Sequence, residues 1–329
     1  MKICIVGASG HYGYVLEGLA GRPDARVAAV SPGSPGEDIS RLFRAVEEHG
    51  SAPAVYERYQ DMLDAEKPDV VAVACHFTGH AAVATEALRR GIHVFVEKPI
   101  ANSLEELEAL KDAWRRSGAH LAAMFGLRCA PWFRTAKKLV DEGAVGEVRL
   151  LHAQKSYKLG TRGALFRSHD TYCGTIPWVG SHGIDLCYWL SGERFVSVYA
   201  SHTNRANRGH GDLEMTGLCH FTLTNEVFAS VSIDYLRPGN ASGHADDRIR
   251  IAGTGGILEV RGDRVYLLGG AEGAPAEVPP EEGEGIFAGF LRQIEGKGHC
   301  SVSAEDSFLV TEACLRARQS ADEKRIVYF

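Results

Sequence analysis

Short, unbroken apolar runs recur through the first 125 residues, at Ile3 to Val6, Val27 to Val30, Val70 to Ala74, His93 to Val96 and Leu121 to Phe125, separated by stretches with helical periodicity. A run that is continuous rather than alternating is what a strand buried on both faces requires, and strands of that kind alternating with helices build a doubly wound parallel sheet. Helix punctuation agrees: Ser103 followed by Glu106 is a capping-box pattern ahead of Leu107 and Leu110, and Gly91 stops a helix over Ala81 to Arg90.

Beyond Arg128 the period changes. A helix is predicted from about Pro131 to Glu142, a strand from Val148 to Tyr157, a polar, Gly-rich loop as far as Thr175 and a helix ending at Leu190. Past Gly192 strands dominate: Val196 to His202, Glu214 to Leu223, Val227 to Tyr235, Arg248 to Ala252 and Gly256 to Val260, several alternating apolar with polar residues. Such alternation suits a sheet packed on one face and open on the other. A helix over Ala304 to Ala321 and a strand over Arg325 to Tyr328 end the chain, and the Gly/Pro/Glu-rich stretch from Gly269 to Gly285 reads as a surface loop. At 329 residues the chain is expected to form two domains, 1–125 and 126–329, the second an α+β unit on a large, mostly antiparallel open sheet. The final segment is placed to pack back on the first domain.

Composition narrows the function classes. Thirty-six Lys and Arg against 42 Asp and Glu leave a net charge of -6, with no basic block to follow a phosphate backbone, so nucleic acid is not expected as a partner. The eight cysteines are scattered through apolar segments without CxxC pairs and read as buried reduced thiols, not as a zinc site or disulfide framework. The chain opens on a strand rather than a signal peptide, and no apolar run reaches membrane-spanning length, so the cytoplasm is the expected compartment and no membrane partner is foreseen.

Two motifs carry chemistry. Gly7-x-x-Gly10-x-x-Gly13 follows the first strand and opens a helix, so the amides around Gly7, Ser9, Gly10 and His11 are candidates for a dinucleotide pyrophosphate, a structural turn being the plain alternative. The strand Val27 to Val30 ends in Ser31-Pro32-Gly33-Ser34, with neither the acid expected for NAD nor an adjacent arginine for a 2′-phosphate, so NAD and NADP both remain open. Glu97-Lys98-Pro99 closes the run Val94-Phe95-Val96, which places a lysine at the carboxyl end of a buried parallel strand, where open α/β sheets bind ligands.

These motifs, with Gly126-x-Arg128, Gly143-x-x-Gly146-Glu147-Val148, Gly180-Ser181-His182-x-x-Asp185 and Gly253-Thr254-x-Gly256, make the chain resemble the glucose-fructose oxidoreductase/inositol dehydrogenase family, Gfo/Idh/MocA, over essentially its whole length. The resemblance implies a Rossmann domain, a larger mixed-sheet domain used in homodimer or homotetramer contacts, and nicotinamide-linked redox chemistry on a sugar or cyclitol. It implies Lys98 and His182 as catalytic residues and Asp185 as a substrate ligand, and it puts Ser31, Cys75, His76, His80, Glu97 and Arg128 with the glycine loop around the cofactor. On spacing alone, His182 and Asp185 could equally be a satisfied polar pair on one helix face.

Trp178 stands where the family often has an aspartate, so it either packs in the core or walls the substrate cavity on the face of His182. His76 and His80 have metal-type spacing but no third ligand nearby, and a nicotinamide-side wall is the expected role, with no metal. Lys155, Tyr157 and Arg167, with His169, Asp170 and Tyr172, form a polar cluster suited to several hydroxyls. The expected function is an NAD(P)-dependent oxidoreductase of a polyhydroxylated small molecule. The rivals are a non-catalytic regulatory protein that binds NAD(P) and sugar, and an NAD-dependent glycoside hydrolase working through transient oxidation.

Overall fold

The computed structural model describes residues 1–269 and 273–329. They form two compact units, one of residues 1–126 with 284–311, the other of residues 127–283 with 312–329. The first unit therefore includes a segment, 284–311, that the simple boundary at 125 assigns to the second.

The first unit alternates β1 (Lys2–Val6), α1 (Gly13–Leu19), β2 (Arg26–Ser31), α2 (Ser40–Glu48), β3 (Ala54–Val55), α3 (Tyr59–Glu66), β4 (Val70–Val73), α4 (His80–Arg89), β5 (His93–Val96), α5 (Leu104–Ser117) and β6 (Leu121–Ala123). The strands lie in the order β3-β2-β1-β4-β5-β6, every pair parallel. Ile3 to Val6, Val70 to Val73 and Val94 to Val96 are wholly buried, which is why their sequence is unbroken rather than alternating. The cap at Ser103 forms as its sequence demands, with the Glu106 amide donating to Ser103 Oγ at 3.1 Å; the Glu106 carboxylate accepts from the Asn102 amide, one residue earlier than in the standard box.

The second unit contains α6 (Pro131–Asp141), β7 (Val148–Tyr157), α7 (Ser181–Ser191), β8 (Phe195–Thr203), β9 (Thr216–Leu223), β10 (Phe228–Asp234), β11 (Ala245–Gly253), β12 (Gly256–Arg261), β13 (Arg264–Gly269) and β14 (Ala276–Val278). After α8 (Ile286–Ile294) of the first unit, α9 (Ala304–Glu323) is divided between the units at Thr311, and β15 (Val327–Tyr328) ends the chain. The nine strands run β14-β13-β12-β11-β7-β10-β9-β8-β15, and β7 with β10 is the parallel pair in an otherwise antiparallel sheet. α7 and the residue before it sit close on one face: a Cβ on Gly180 would lie 2.4 Å from Ile233 and one on Gly183 2.6 Å from Val231. On the other face Tyr199, Leu218 and Phe228 are exposed, as the alternating pattern of β8 to β10 requires.

Several details depart from the sequence reading. The stretch from Gly269 to Gly285 holds β14, paired to β13 at the sheet edge; residues 270–272 of it lie outside the described residues. The helix expected up to Leu190 begins with a π turn, Ile176–Gly180. Four of the buried cysteines, Cys4, Cys75, Cys187 and Cys219, have thiols pushed up by burial, to about 12 for Cys4, Cys75 and Cys219, so they stay protonated. Among the described residues no helix is long and apolar enough to cross a membrane, and no group of three or more His, Cys, Asp or Glu could hold a metal ion.

Candidate functional site

In the first unit the carboxyl ends of β1, β4 and β5 meet around the glycine loop. Gly7 has a left-handed φ of 85°, and a Cβ there would lie 2.2 Å from the Cys75 Cα. Gly33 and Gly79 also crowd Cys75, at 2.4 Å from its Cβ and 2.8 Å from its Sγ. Three loops thus cross at Cys75 because three residues lack side chains. Cys75 is buried there, and its neighbour His76, half-buried, starts the turn after β4.

The loop amides are not open donors, contrary to the sequence reading. Gly7 donates to the Ser31 carbonyl, Ser9 and Gly10 both to the Ala74 carbonyl, and His11 to Glu97 Oε2 at 2.7 Å. Among the described residues the Tyr12 and Gly13 amides face no protein acceptor, so they are the donors left for a phosphate. Ser31 is wholly buried, its hydroxyl turned to the Pro32 carbonyl, and its role is to hold Gly7.

Two carboxylates flank this loop. Glu37 accepts from the Ala8 amide at 2.9 Å, the Ser9 hydroxyl at 2.6 Å and the Gly33 amide at 3.1 Å. No acid stands at the end of β2 itself: the Pro/Gly-rich turn after Ser31 folds back, with the Glu37 amide on the Ser34 carbonyl, and delivers this carboxylate from further along the chain. At the other side Glu97 is buried, with its Oε2 2.6 Å from His11 Nδ1 and its Oε1 3.9 Å from Lys98 Nζ. Burial raises its carboxyl, but the His11 charge and hydrogen bonds, with Lys98 adding to them, outweigh this and bring it down to about 2.

Lys98, 1% exposed, follows at the end of β5. His80 is fully buried, with Nδ1 2.8 Å from the Pro99 carbonyl and Nε2 3.0 Å from the Cys75 carbonyl, and desolvation holds it toward its neutral form. It fastens the Lys98-Pro99 backbone to the β4 loop, which is a positioning role in place of the cofactor contact expected.

In the second unit His182 lies buried in the first turn of α7. Asp185 is not presented to solvent. It forms a buried ion pair with Arg128, whose Nε lies 3.0 and 3.1 Å from the two carboxylate oxygens and whose Nη2 lies 2.6 Å from Oδ1. Tyr188 and Trp189 lie beside the same guanidinium, at 5.9 and 5.5 Å. The residues read separately as a cofactor ligand and a substrate ligand are thus partners.

Trp178 is half-buried within the π turn, where a four-residue spacing does not by itself share a face with His182. Lys155 is buried on β7 and held by Asp247 Oδ2 at 2.6 Å, with its ammonium 4.9 Å from the Tyr157 ring. Desolvation draws Lys155 down against the pull of Asp247. Arg167 is exposed, and its carbonyl receives the Asp212 amide. His169 reaches the buried Glu214 at 2.8 Å, and that carboxylate also accepts from the Thr175 amide, tethering the loop at the residue before the π turn.

Comparison with known proteins agrees with this architecture. Residues 1–125 match the model of the oxidoreductase family with an NAD-binding Rossmann fold, and residues 133–259 match the GFO/IDH/MocA C-terminal domain. A Thermotoga maritima protein provisionally described as an oxidoreductase is 50% identical, covers both chains fully and superposes with a TM-score of 0.96. An inositol 2-dehydrogenase from Ralstonia nicotianae is 27% identical over 92% of this chain and 89% of its own. Levoglucosan dehydrogenase, solved with NADH, shares the fold at 19% identity, with a TM-score of 0.84 over 100% of this chain and 98% of its own. The chain belongs to the GFO/IDH/MocA family of oxidoreductases, with an NAD-binding Rossmann domain at its N-terminus.

Proposed function

We propose that the protein transfers a hydride between NAD, in preference to NADP, and the hydroxyl or carbonyl carbon of a sugar, cyclitol or related polyhydroxylated compound. The observation that carries the reading is the line Lys98–Glu97–His11: an ammonium with 1% exposure ends a parallel strand, and the carboxylate next to it reaches the glycine loop. A charge buried so completely is retained where it acts. The inositol and levoglucosan dehydrogenases among its relatives support the substrate class.

The residues fit the cofactor. A Cβ on Gly10 would lie 2.8 Å from Glu97 Oε2, so bare backbone there lets the loop close on Glu97, while a Cβ on Gly13 would meet no protein atom within 4 Å, which leaves the open backbone that a dinucleotide needs for close approach. Glu37 would accept from the adenosine ribose hydroxyls and repel a 2′-phosphate, and the Tyr12 and Gly13 amides would face the pyrophosphate. Bound there, the nicotinamide supplies the hydride acceptor.

In the oxidation direction His182 takes the proton of the substrate hydroxyl as the hydride leaves its carbon, and Lys98 donates to the oxygen that becomes the carbonyl. His76 borders the nicotinamide, Trp178 gives the sugar an apolar wall, and Lys155 and Tyr157 meet further hydroxyls. Arg128 and Asp185 act by fixing α7.

The open face with Tyr199, Leu218 and Phe228 supports a homodimer or homotetramer through the nine-stranded sheet. The protonated, buried thiols support a cytoplasmic setting. The test is reduced-nicotinamide absorbance of the purified protein with NAD and with NADP against a panel of sugars, inositols and sugar acids. NAD-linked turnover is expected. NAD bound in calorimetry without turnover of any panel member would favour a ligand-sensing protein instead.

A further inference from the structure

The carboxyl ends of β7 and β10 carry a cluster of cations whose charge the protein balances only in part. Tyr157 is its centre: the His244 ring lies 4.7 Å away, the Tyr235 ring 6.2 Å away and the Lys155 ammonium 4.9 Å away. The Arg162 guanidinium lies 4.8 Å from the Tyr235 ring and 5.4 Å from that of Phe166. Lys158 follows directly on β7, its amide bonded to the His244 carbonyl.

The nearby carboxylates are already committed. Asp247 holds Lys155 at 2.6 Å, while Asp246 holds Arg248 at 2.7 Å and Arg237 at 3.3 Å. Asp234 accepts from the Ser156 hydroxyl and the Leu236 amide. Arg162 and Lys158 are left with backbone carbonyls, those of Lys158 and Ala241 respectively, and with no carboxylate among the described residues. Arg162 Nε is buried with no acceptor. A buried donor without an acceptor costs about 1–3 kcal/mol, which a ligand anion would recover.

The cluster adjoins the residues assigned to substrate. Lys155 is the register partner of Ile233, the residue on which Gly180 packs, and Gly180 stands two positions before His182. The aromatic rings Tyr157, Tyr235 and His244 offer a floor for a sugar ring.

We propose that the substrate carries an anionic group, a carboxylate or phosphate on its polyhydroxylated skeleton, bound by Arg162 and Lys158 above Tyr157, Tyr235 and His244. This rests on the reading of the second unit as the substrate-binding one, and it narrows the substrate class from polyols in general to acidic sugars. Arg162 forms charge-assisted hydrogen bonds with the anion through its planar fork, and Lys158 contributes a point charge.

The test compares D-glucose, D-glucuronate and D-glucose 6-phosphate on the full-length protein with NAD present, by calorimetry and by steady-state reduction of NAD. One of the two acids is expected to bind about tenfold or more tightly than glucose, the value of one or two charge-assisted hydrogen bonds, and which acid wins identifies the anion. Arg162→Gln and Lys158→Gln should each lower affinity for that acid, whereas Arg162→Lys, which keeps the charge, should lose less. Unfolding of one Gln variant leaves the other to decide. Equal affinity for the three compounds, no binding by either acid, or a preference untouched by both Gln variants overturns the proposal. Acid binding that depends on Arg162 without any NAD reduction would uphold the anion site while refuting the dehydrogenase reading, so the two fail separately.

Discussion

The two sheets of this chain use side chains in opposite ways. In the first unit every central strand is buried on both faces, so its residues are committed to packing and the groups proposed for chemistry stand at strand ends and in the loops after them: Lys98, His76, the glycine loop. In the second unit one face carries α7 while the strands alternate, so polar groups such as Lys155 and Tyr157 sit along the strand itself, where each has a cross-strand neighbour. A parallel sheet presents backbone and a few end residues to a cofactor that many reactions share. On the proposed assignment, the other sheet presents a pattern of side chains, which can be altered residue by residue to suit a substrate.

The comparison breaks first at the two residues proposed to move the proton. Lys98→Met at a strand end and His182→Ala on the helix should each lower turnover by about 10² to 10⁴-fold, the usual contribution of a positioned acid or base, while NAD affinity persists. Steady-state kinetics with a turned-over substrate checks both. Near wild-type turnover in His182→Ala would remove chemistry from the second unit.

A stability experiment comes next. Asp185→Ala takes its carboxylate from the buried Arg128 guanidinium, and the expected loss is about 3–5 kcal/mol in urea unfolding. A loss below about 1 kcal/mol would show that the pair is spared the burial described, since only solvated ion pairs are so weak.

Cofactor choice gives a smaller effect. Glu37→Gln removes a charged acceptor and should weaken NAD binding by about tenfold to a hundredfold in calorimetry while affecting NADP less, so the ratio of the two narrows. An unchanged ratio would mean that Glu37 only braces the loop.

Smallest is a pH effect on the second unit's loop. The hydrogen bond to Glu214 raises His169 above its usual value, outweighing desolvation. A raised histidine stabilises fully below its unfolded value, about 6.5, and that support is lost as pH climbs through the raised folded value. Because His169 is half-exposed, the contribution stays below about 1 kcal/mol. Limited proteolysis between residues 160 and 172 should therefore quicken as the pH rises through this range, and His169→Gln should flatten the dependence.

What could be read from sequence was what depends on neighbours along the chain. Unbroken apolar runs disclosed β1, β4 and β5, Ser103 with Glu106 disclosed the start of α5, and alternation disclosed the open sheet face. What could not be read depends on residues brought together from afar. Arg128 and Asp185 stand 57 positions apart and Lys155 and Asp247 92 apart, and nothing local marks either pair. Glu37 escaped for a subtler reason: its carboxylate lies against the loops at a strand end, but a Pro/Gly turn postpones it along the chain. The signal was present in Pro32, Gly33, Pro35 and Gly36, four residues that turn a chain back on itself.

The parallel pairing of β7 with β10 bears on the order in which the molecule can be made. β7 has two strand partners, β10 and β11, and both come later in the chain, so Val148–Tyr157 leaves the ribosome with neither edge satisfied. β8, β9 and β10 can meanwhile pair as a meander, each with its neighbour in sequence. The centre of the sheet is therefore completed after its flank, and β7 waits as an open-edged strand while some seventy residues are added, on the order of several seconds at ordinary synthesis rates. A strand in that position is exposed to pairing with another chain. Its polar positions, Arg149, His152, Gln154 and Lys155, keep the waiting edge from being uniformly apolar, the feature that most favours such pairing.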